Sequence, residues 1–211
     1  WTTHFLIVAA ISVAGLVYLG QQTYSGAPPL VDYVSADTGE VFLSQKQIER
    51  GKEVFHLRGL MGYGSFWGDG GDRGPDFTAD ALHRTVVSMQ EYYTKQMLAQ
   101  TGAAALTEYE RDAIGQRVMR EMRNNTYDEA AGTITLNAAQ MNAFEELNVH
   151  YSRMFTDPTY KDRMEPLNQV NGAENIRAVT GFFFWGGWVA AANRPGETYS
   201  YTHNWPYDPD V

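Results

Sequence analysis

The sequence predicts a mainly α protein: one N-terminal transmembrane helix, then an extracytoplasmic domain that carries a small β-hairpin. Three observations predict it. An uncharged apolar run opens the chain, capping-box signatures precede several helical stretches, and "NNTYDEAAGTITL" pairs two short strand-like runs across a Gly-containing loop. At 211 residues the chain accommodates one ordinary domain plus an appendage.

The opening "WTTHFLIVAAISVAGLVYLG" is apolar from Phe5 to Leu19, broken only by Ser12. A span takes about 20 such residues, so residues 1–20 read as a transmembrane helix in membrane lipid. Trp1 to His4 or residues upstream must complete it, and the non-methionine start points to an upstream piece. Two rivals are a signal peptide and a buried core helix. A signal peptide would bring a basic n-region and an A-x-A-like site after Leu19, and neither is present. No Lys or Arg precedes Lys46, whereas Asp32, Asp37 and Glu40 follow the span. Cytoplasmic flanks are rich in Lys and Arg, so the chain after Leu19 is read as facing outward.

Residues 21–43 read as an extended linker with a short hairpin around Asp37-Thr38-Gly39. The domain then runs from 44 to 211. Ser44-x-x-Gln47 is a capping box and opens a helix to about Leu57, with Gly51 weakening its apolar stripe. After a glycine-rich stretch, Thr78 or Asp80 caps a helix to about Gln100. Thr107-x-x-Glu110 opens the next helix, to about Arg123. Thr126 and Tyr127 face Thr133 to Leu136 in the hairpin, and Asn137-x-x-Gln140 starts a helix to about Phe155. A final helix spans roughly Ala173 to Ala192 and includes "FFFWGGWVAAA". Eleven apolar residues are too few to cross a bilayer. The run is therefore either an aromatic core or an interfacial belt against lipid or a membrane partner. "NRPGETYSYTHNWPYDPDV" reads as an extended tail.

Composition excludes several classes of function. The 16 basic and 25 acidic residues give a net charge of −9, against the basic face that nucleic acid requires. The chain has no cysteine, hence no disulfide, thiolate zinc, iron–sulfur cluster or covalent C-x-x-C-H haem. The five histidines lack metal-binding helical spacing, so neither His56 nor His83 is read as a haem ligand. Ser65 and Ser88 lack a G-x-S-x-G context, and no acidic pair has a spacing suited to acid–base work. The chain itself reads as non-catalytic.

The stretch "YGSFWGDGGDRGPDFTADALH", Tyr63 to His83, holds most of the remaining signal. As a Walker loop it lacks the lysine, and as a dinucleotide loop it follows a helix and carries Asp69, Asp72 and Asp76. The EF-hand pattern is not met either. A calcium site outside that pattern, or a structural turn whose aspartates cap the next helix, are the two readings left.

"GKEVFHLRGLMGYGSFWGDGGDRGPDFTADALH", Gly51 to His83, resembles the hydrophilic N-terminal domain of quinol-dependent nitric oxide reductases. "AAANRPGETYSYTHNWPYDP", Ala190 to Pro209, resembles the stretch before their second transmembrane helix. With the N-terminal span the resemblance covers most of the chain. It implies a transmembrane helix, then a cytochrome-c-like extracytoplasmic domain lacking haem c, then a bundle that begins beyond this chain. That bundle would carry haem b and non-haem iron, and this chain would be its structural cap, as N-terminal domain or small subunit. The implied reaction reduces 2 NO to N₂O with electrons from quinol, at the bacterial inner membrane with the domain on the periplasmic side. Alternatives are a single-span sensor or binding module, or part of a divergent haem–copper-family enzyme such as an NO dismutase.

The related cytochrome-c-dependent enzymes place C-x-x-C-H ahead of a similar glycine loop. Aligned on the glycines, Leu60, Tyr63 and Gly64 stand where the two cysteines and the histidine would be. The resemblance implies that Met61, Tyr63, Phe66 and Trp67 fill the vacated pocket. It also implies a calcium ion at the interface with the haem-bearing partner, held by carbonyl groups of a Gly and a Tyr in this loop. Gly70 matches that Gly, and Asp72 stands in place of the Tyr. Either the carboxylate strengthens the calcium contact or the departure marks a divergent branch.

Overall fold

A computed structural model describes residues 1–161 and 166–205. The elements in chain order are α1 (Thr2–Ser25), β1 (Asp32–Ser35), β2 (Val41–Leu43), α2 (Gln45–Leu57), β3 (Ser65–Phe66) and β4 (Asp69–Gly70). They continue with α3 (Phe77–Thr101), α4 (Glu108–Arg123), β5 (Tyr127–Asp128), β6 (Thr133–Leu136), α5 (Ala138–Thr156) and α6 (Ala173–Ala191).

Helix α1 runs five residues past Gly20, because Gln21 to Ser25 continue the helical hydrogen bonding until Gly26. Its 24 residues span about 36 Å, more than the roughly 30 Å of hydrocarbon in a bilayer. None of its residues is buried by the rest of the protein, and Phe5, Ile11 and Leu16 are all exposed. Among the described residues it is the one helix long and apolar enough to cross a membrane.

The hairpin at Asp37–Gly39 forms, turning on Gly39 at φ 71° and on the Ser35 hydroxyl, which accepts from the amides of Asp37 and Thr38. Its strands are part of a larger sheet, ordered β2-β1-β6-β5. β1 pairs in parallel with β6, from Asp32↔Thr133 to Ser35↔Leu136. β5 and β6 form the hairpin predicted from the sequence. Alternation turns Tyr33, Leu43, Ile134 and Leu136 into the core from one face of this sheet.

All three capping boxes are present, at Ser44, Thr107 and Asn137. The cap of α3 is Asp76 rather than Thr78 or Asp80: its Oδ1 accepts from the amides of Thr78 and Ala79. Thr78 is buried instead, and its hydroxyl accepts from the amide of Trp67.

Helix α6 is the centre of the domain. Every residue from Val179 to Ala190 is buried, so the aromatic run is the core and not a surface laid on lipid or on another subunit. A helix apolar all round needs partners all round, and the rest of the domain provides them. Phe182 stacks on Phe66 at 4.4 Å and packs on Phe55 of α2. Phe183 stacks on Phe77 of α3 at 4.4 Å and meets Tyr151 of α5. Phe184 meets Tyr33 and Phe144, and the Trp185 indole N–H donates to the carbonyl of Pro29. Trp185→Arg would therefore break this domain's own core rather than a contact with a partner, at a cost of several kcal/mol.

The tail is folded rather than extended as far as Trp205. Pro195 and Gly196 turn it back, so Asn193 bridges Ser200 and the Arg194 amide donates to Tyr199. Tyr201 then packs on Trp188 with ring centroids 5.8 Å apart. The remainder of the predicted tail, residues 206–211, lies outside the described residues.

Helices α2 and α6 cross at closest range at Gly51. A Cβ there would lie 2.0 Å from the Ala178 carbonyl oxygen and 2.8 Å from Phe182 Cβ. Gly51→Ala should destabilise the domain by about 3 kcal/mol or more, because backbone must move to admit the methyl. Gly115→Ala, where nothing lies within 4 Å of the added carbon, should stabilise α4 by up to about 1 kcal/mol. Denaturant melts of both variants check this; equal effects would contradict the crossing.

Candidate functional site: a closed glycine corner and a buried polar clamp

Leu60, Tyr63 and Gly64 lie just after α2, on and beyond a single 3₁₀ turn from Leu60 to Gly62. Leu60 is fully buried. At Gly64 an added Cβ would sit 2.4 Å from the Pro75 carbonyl oxygen and 2.7 Å from the Phe77 ring. No histidine fits there without displacing the main chain. Beside it, Phe66 and Trp67 fill space between α2 and α6, and the Trp67 indole donates to the Gly186 carbonyl. Trp67 and Tyr63 are both half-buried, but only Trp67 packs against the core cluster, and Met61 is exposed, so two of the four expected fillers do the filling. The third and fourth places are taken by Phe182 and Phe77, which the family resemblance did not single out. At these positions there is no thiol for a covalent haem, and a histidine in place of Gly64 would collide with Pro75 and Phe77.

The glycine stretch itself folds as a tight corner tied by Asp76. While Oδ1 caps α3, Oδ2 accepts from the Ser65 hydroxyl at 2.6 Å and from the Gly68 amide at 2.8 Å. The Ser65 amide donates to Pro75, that of Trp67 to Thr78 and that of Gly71 to Met61. These amides are turned inward and spent within the corner, so they are not available to a phosphate. Gly70 has φ 140°, and its missing Cβ lets the Gly64 carbonyl approach to 2.5 Å of where that atom would be. Gly70 and Asp72 are both exposed at the outer edge of the corner. Among the described residues no group of three His, Asp or Glu is placed to hold a metal ion, so ligands from outside would have to complete any site here.

Sequence patterns alone missed a polar cluster one turn further along α3, at Asp80. Asp80 accepts from Arg84 Nε at 2.9 Å and from the Tyr151 hydroxyl at 2.8 Å, and lies 3.4 Å from His150 Nε2. His150 Nδ1 contacts the Tyr160 hydroxyl at 2.8 Å. Only 7% of the His150 side chain is exposed. The group clamps α3 to α5 beside a cleft of about 300 Å³ bordered by Arg84, Glu146 and Tyr160. A signal was present: His150 falls on the face of α5 marked by Ala143, Leu147 and Met154, where a polar side chain needs a partner. These contacts tie α3 to α5 through buried polar groups.

Burial pushes the Asp80 carboxyl up, but the neighbouring His150, Arg84 and Tyr151 more than offset this and hold it below the usual carboxylate range. A depressed carboxylate contributes stability that is present above the unfolded pKa, near 3.9, and lost as pH falls through the folded one. Asp80→Asn should therefore cost roughly 1–3 kcal/mol at neutral pH, and the deficit should shrink as pH drops below about 4. Thermal melts of the two proteins across that range check the sign; a deficit independent of pH would contradict it.

No curated protein matches the chain. The family model for the NorB cytochrome c-like domain of nitric oxide reductase matches residues 31–207, from the first strand of the sheet to the tail. Strands, helices and glycine corner all lie inside that range, and only the apolar helix with its exit lies before it. The chain belongs to the NorB family of nitric oxide reductases, whose cytochrome c-like domain it contains.

Proposed function

We propose that this chain is the haem-free N-terminal domain, or small subunit, of a membrane nitric oxide reductase fed by quinol. What supports this reading is the packing at Gly64, Phe66 and Phe182: a Cβ at Gly64 would meet Pro75 and Phe77, and Phe66 stacks on Phe182 at 4.4 Å. A domain without a redox centre has no means of relaying electrons from a soluble cytochrome. Electrons from membrane quinol bypass it: 2 NO + QH₂ → N₂O + H₂O + Q. The haem b and non-haem iron of the partner bundle would supply that redox chemistry, and no residue of this chain takes part in it.

In this reading α1 anchors the chain in a bacterial inner membrane and the domain caps the periplasmic face of the bundle. The absence of Lys and Arg before Lys46 supports that side. The exposed edge of the glycine corner, with Gly70 and Asp72, faces the bundle and lends oxygen ligands to a calcium ion shared with it, at about 2.3–2.6 Å.

The test is quinol-driven NO consumption and calcium content of membranes holding the intact complex, with Asp72 and with Asp72→Ala. The expected outcome is NO turnover with quinol alone, together with loss of one bound calcium in the variant. No turnover with any donor would defeat the reductase reading, whereas unchanged calcium would defeat only the calcium reading.

A further inference from the structure

We propose that the cleft between the end of α4 and the turn at Asn193–Glu197 binds the phosphate of an anionic phospholipid beside the exit of α1. The cleft holds about 570 Å³ and is bordered by Arg120, Arg123, Arg194, Asn125 and Glu197 among others. Three of the chain's 16 basic residues thus converge on one concavity of a protein with net charge −9. Among the described residues none of the three arginines has a carboxylate within ion-pair distance. Arg120 and Arg123 occupy the last turn of α4, where they suit the helix dipole, and both side chains point outward as exposed residues.

Arg194 has no such explanation. It comes from the tail, its guanidinium lies 5.2 Å over the Tyr201 ring, and one of its terminal nitrogens donates to the Tyr201 carbonyl at 3.2 Å. Its Nε is buried without a hydrogen-bond partner. The side chain is thus fixed at the wall of the cleft, where its charge has no carboxylate partner among the described residues. Guanidinium groups pair with phosphate through parallel N–H donors, and here two further guanidinium groups face the same space.

Position selects the source of the phosphate. Arg194 Nη1 lies 3.1 Å from where a Cβ on Gly26 would be, and Gly26 is the residue at which α1 ends. The cleft therefore opens next to Gly26 at the end of α1, six residues past Gly20, where the chain leaves the membrane helix for the domain at the level of lipid headgroups. Basic pockets beside a membrane helix are where anionic headgroups are held. The C-terminal end of α4 presents partial negative charge, so the side chains must carry the attraction and the site must be sensitive to salt.

The test titrates the full chain, solubilised in neutral detergent, with dihexanoyl phosphatidylglycerol, followed by native mass spectrometry and calorimetry. Dihexanoyl phosphatidylcholine and inorganic phosphate form the parallel arms. The double variant Arg120→Gln, Arg123→Gln changes exposed side chains, and an unchanged melt verifies its fold. Saturable binding of one phosphatidylglycerol is expected, weakened about fivefold per arginine removed and weakened by added salt. Phosphatidylcholine binding equally well, or a variant binding phosphatidylglycerol unchanged, overturns the proposal. Inorganic phosphate binding as tightly as the lipid overturns the lipid assignment. A variant that keeps the lipid but detaches from the haem-bearing partner makes the cleft a protein contact and overturns it as well.

Discussion

The crossing of α2 over α6 at Gly51 is the constraint on which the rest of the domain depends. Because nothing but hydrogen separates Gly51 from the Ala178 carbonyl, the two helices meet backbone to backbone. That closeness brings Phe55 and Phe182 to 5.6 Å and sets the depth at which the following aromatic residues lie. Gly186 repeats the device one turn beyond Phe182, where a Cβ would stand 2.5 Å from the Phe66 ring. Each buried Phe or Trp contributes roughly 1.5–3 kcal/mol, against a net stability of about 5–15 kcal/mol for a typical domain. The five large aromatics between Phe182 and Trp188 are thus a dominant stabilising term.

The same packing bears on function. In a cytochrome-type domain the prosthetic group is both the electron carrier and a large apolar body in the core. Here Phe66, Trp67, Phe77 and Phe182 supply the apolar body, and the glycine corner closes over them with Gly64 against Pro75 and Phe77. What this packing leaves at the surface is an exposed glycine edge at Gly70 and Asp72 and an arginine cleft beside the end of α1.

Much of the architecture was legible in the sequence, and the failures have identifiable causes. Capping boxes at Ser44, Thr107 and Asn137 are local chemistry, read within four residues, and all three hold. The parallel pairing of β1 with β6 joins residues about a hundred positions apart, which no local pattern announces. Gly51 looked like a weakness in its helix because a missing side chain carries no signal of what approaches it. The aromatic run at Phe182 was ambiguous for a related reason: apolar residues on all faces mean burial, without saying whether the cover is lipid, partner or the chain itself. The family match over residues 31–207, and not that run, separates a reductase component from a sensor. The Asp80–His150 clamp was out of reach because its members, unremarkable singly, are 70 residues apart and meet only in three dimensions.

The central claim is that side chains alone complete this core. The most direct measurement is the near-ultraviolet circular dichroism and thermal melt of the chain produced in cells deprived of haem, repeated after haem is added. The account predicts a fixed aromatic spectrum and one cooperative melt in both, with no shift on addition. A core without fixed aromatic signals until haem is supplied, or a melting temperature that rises with haem, would contradict it.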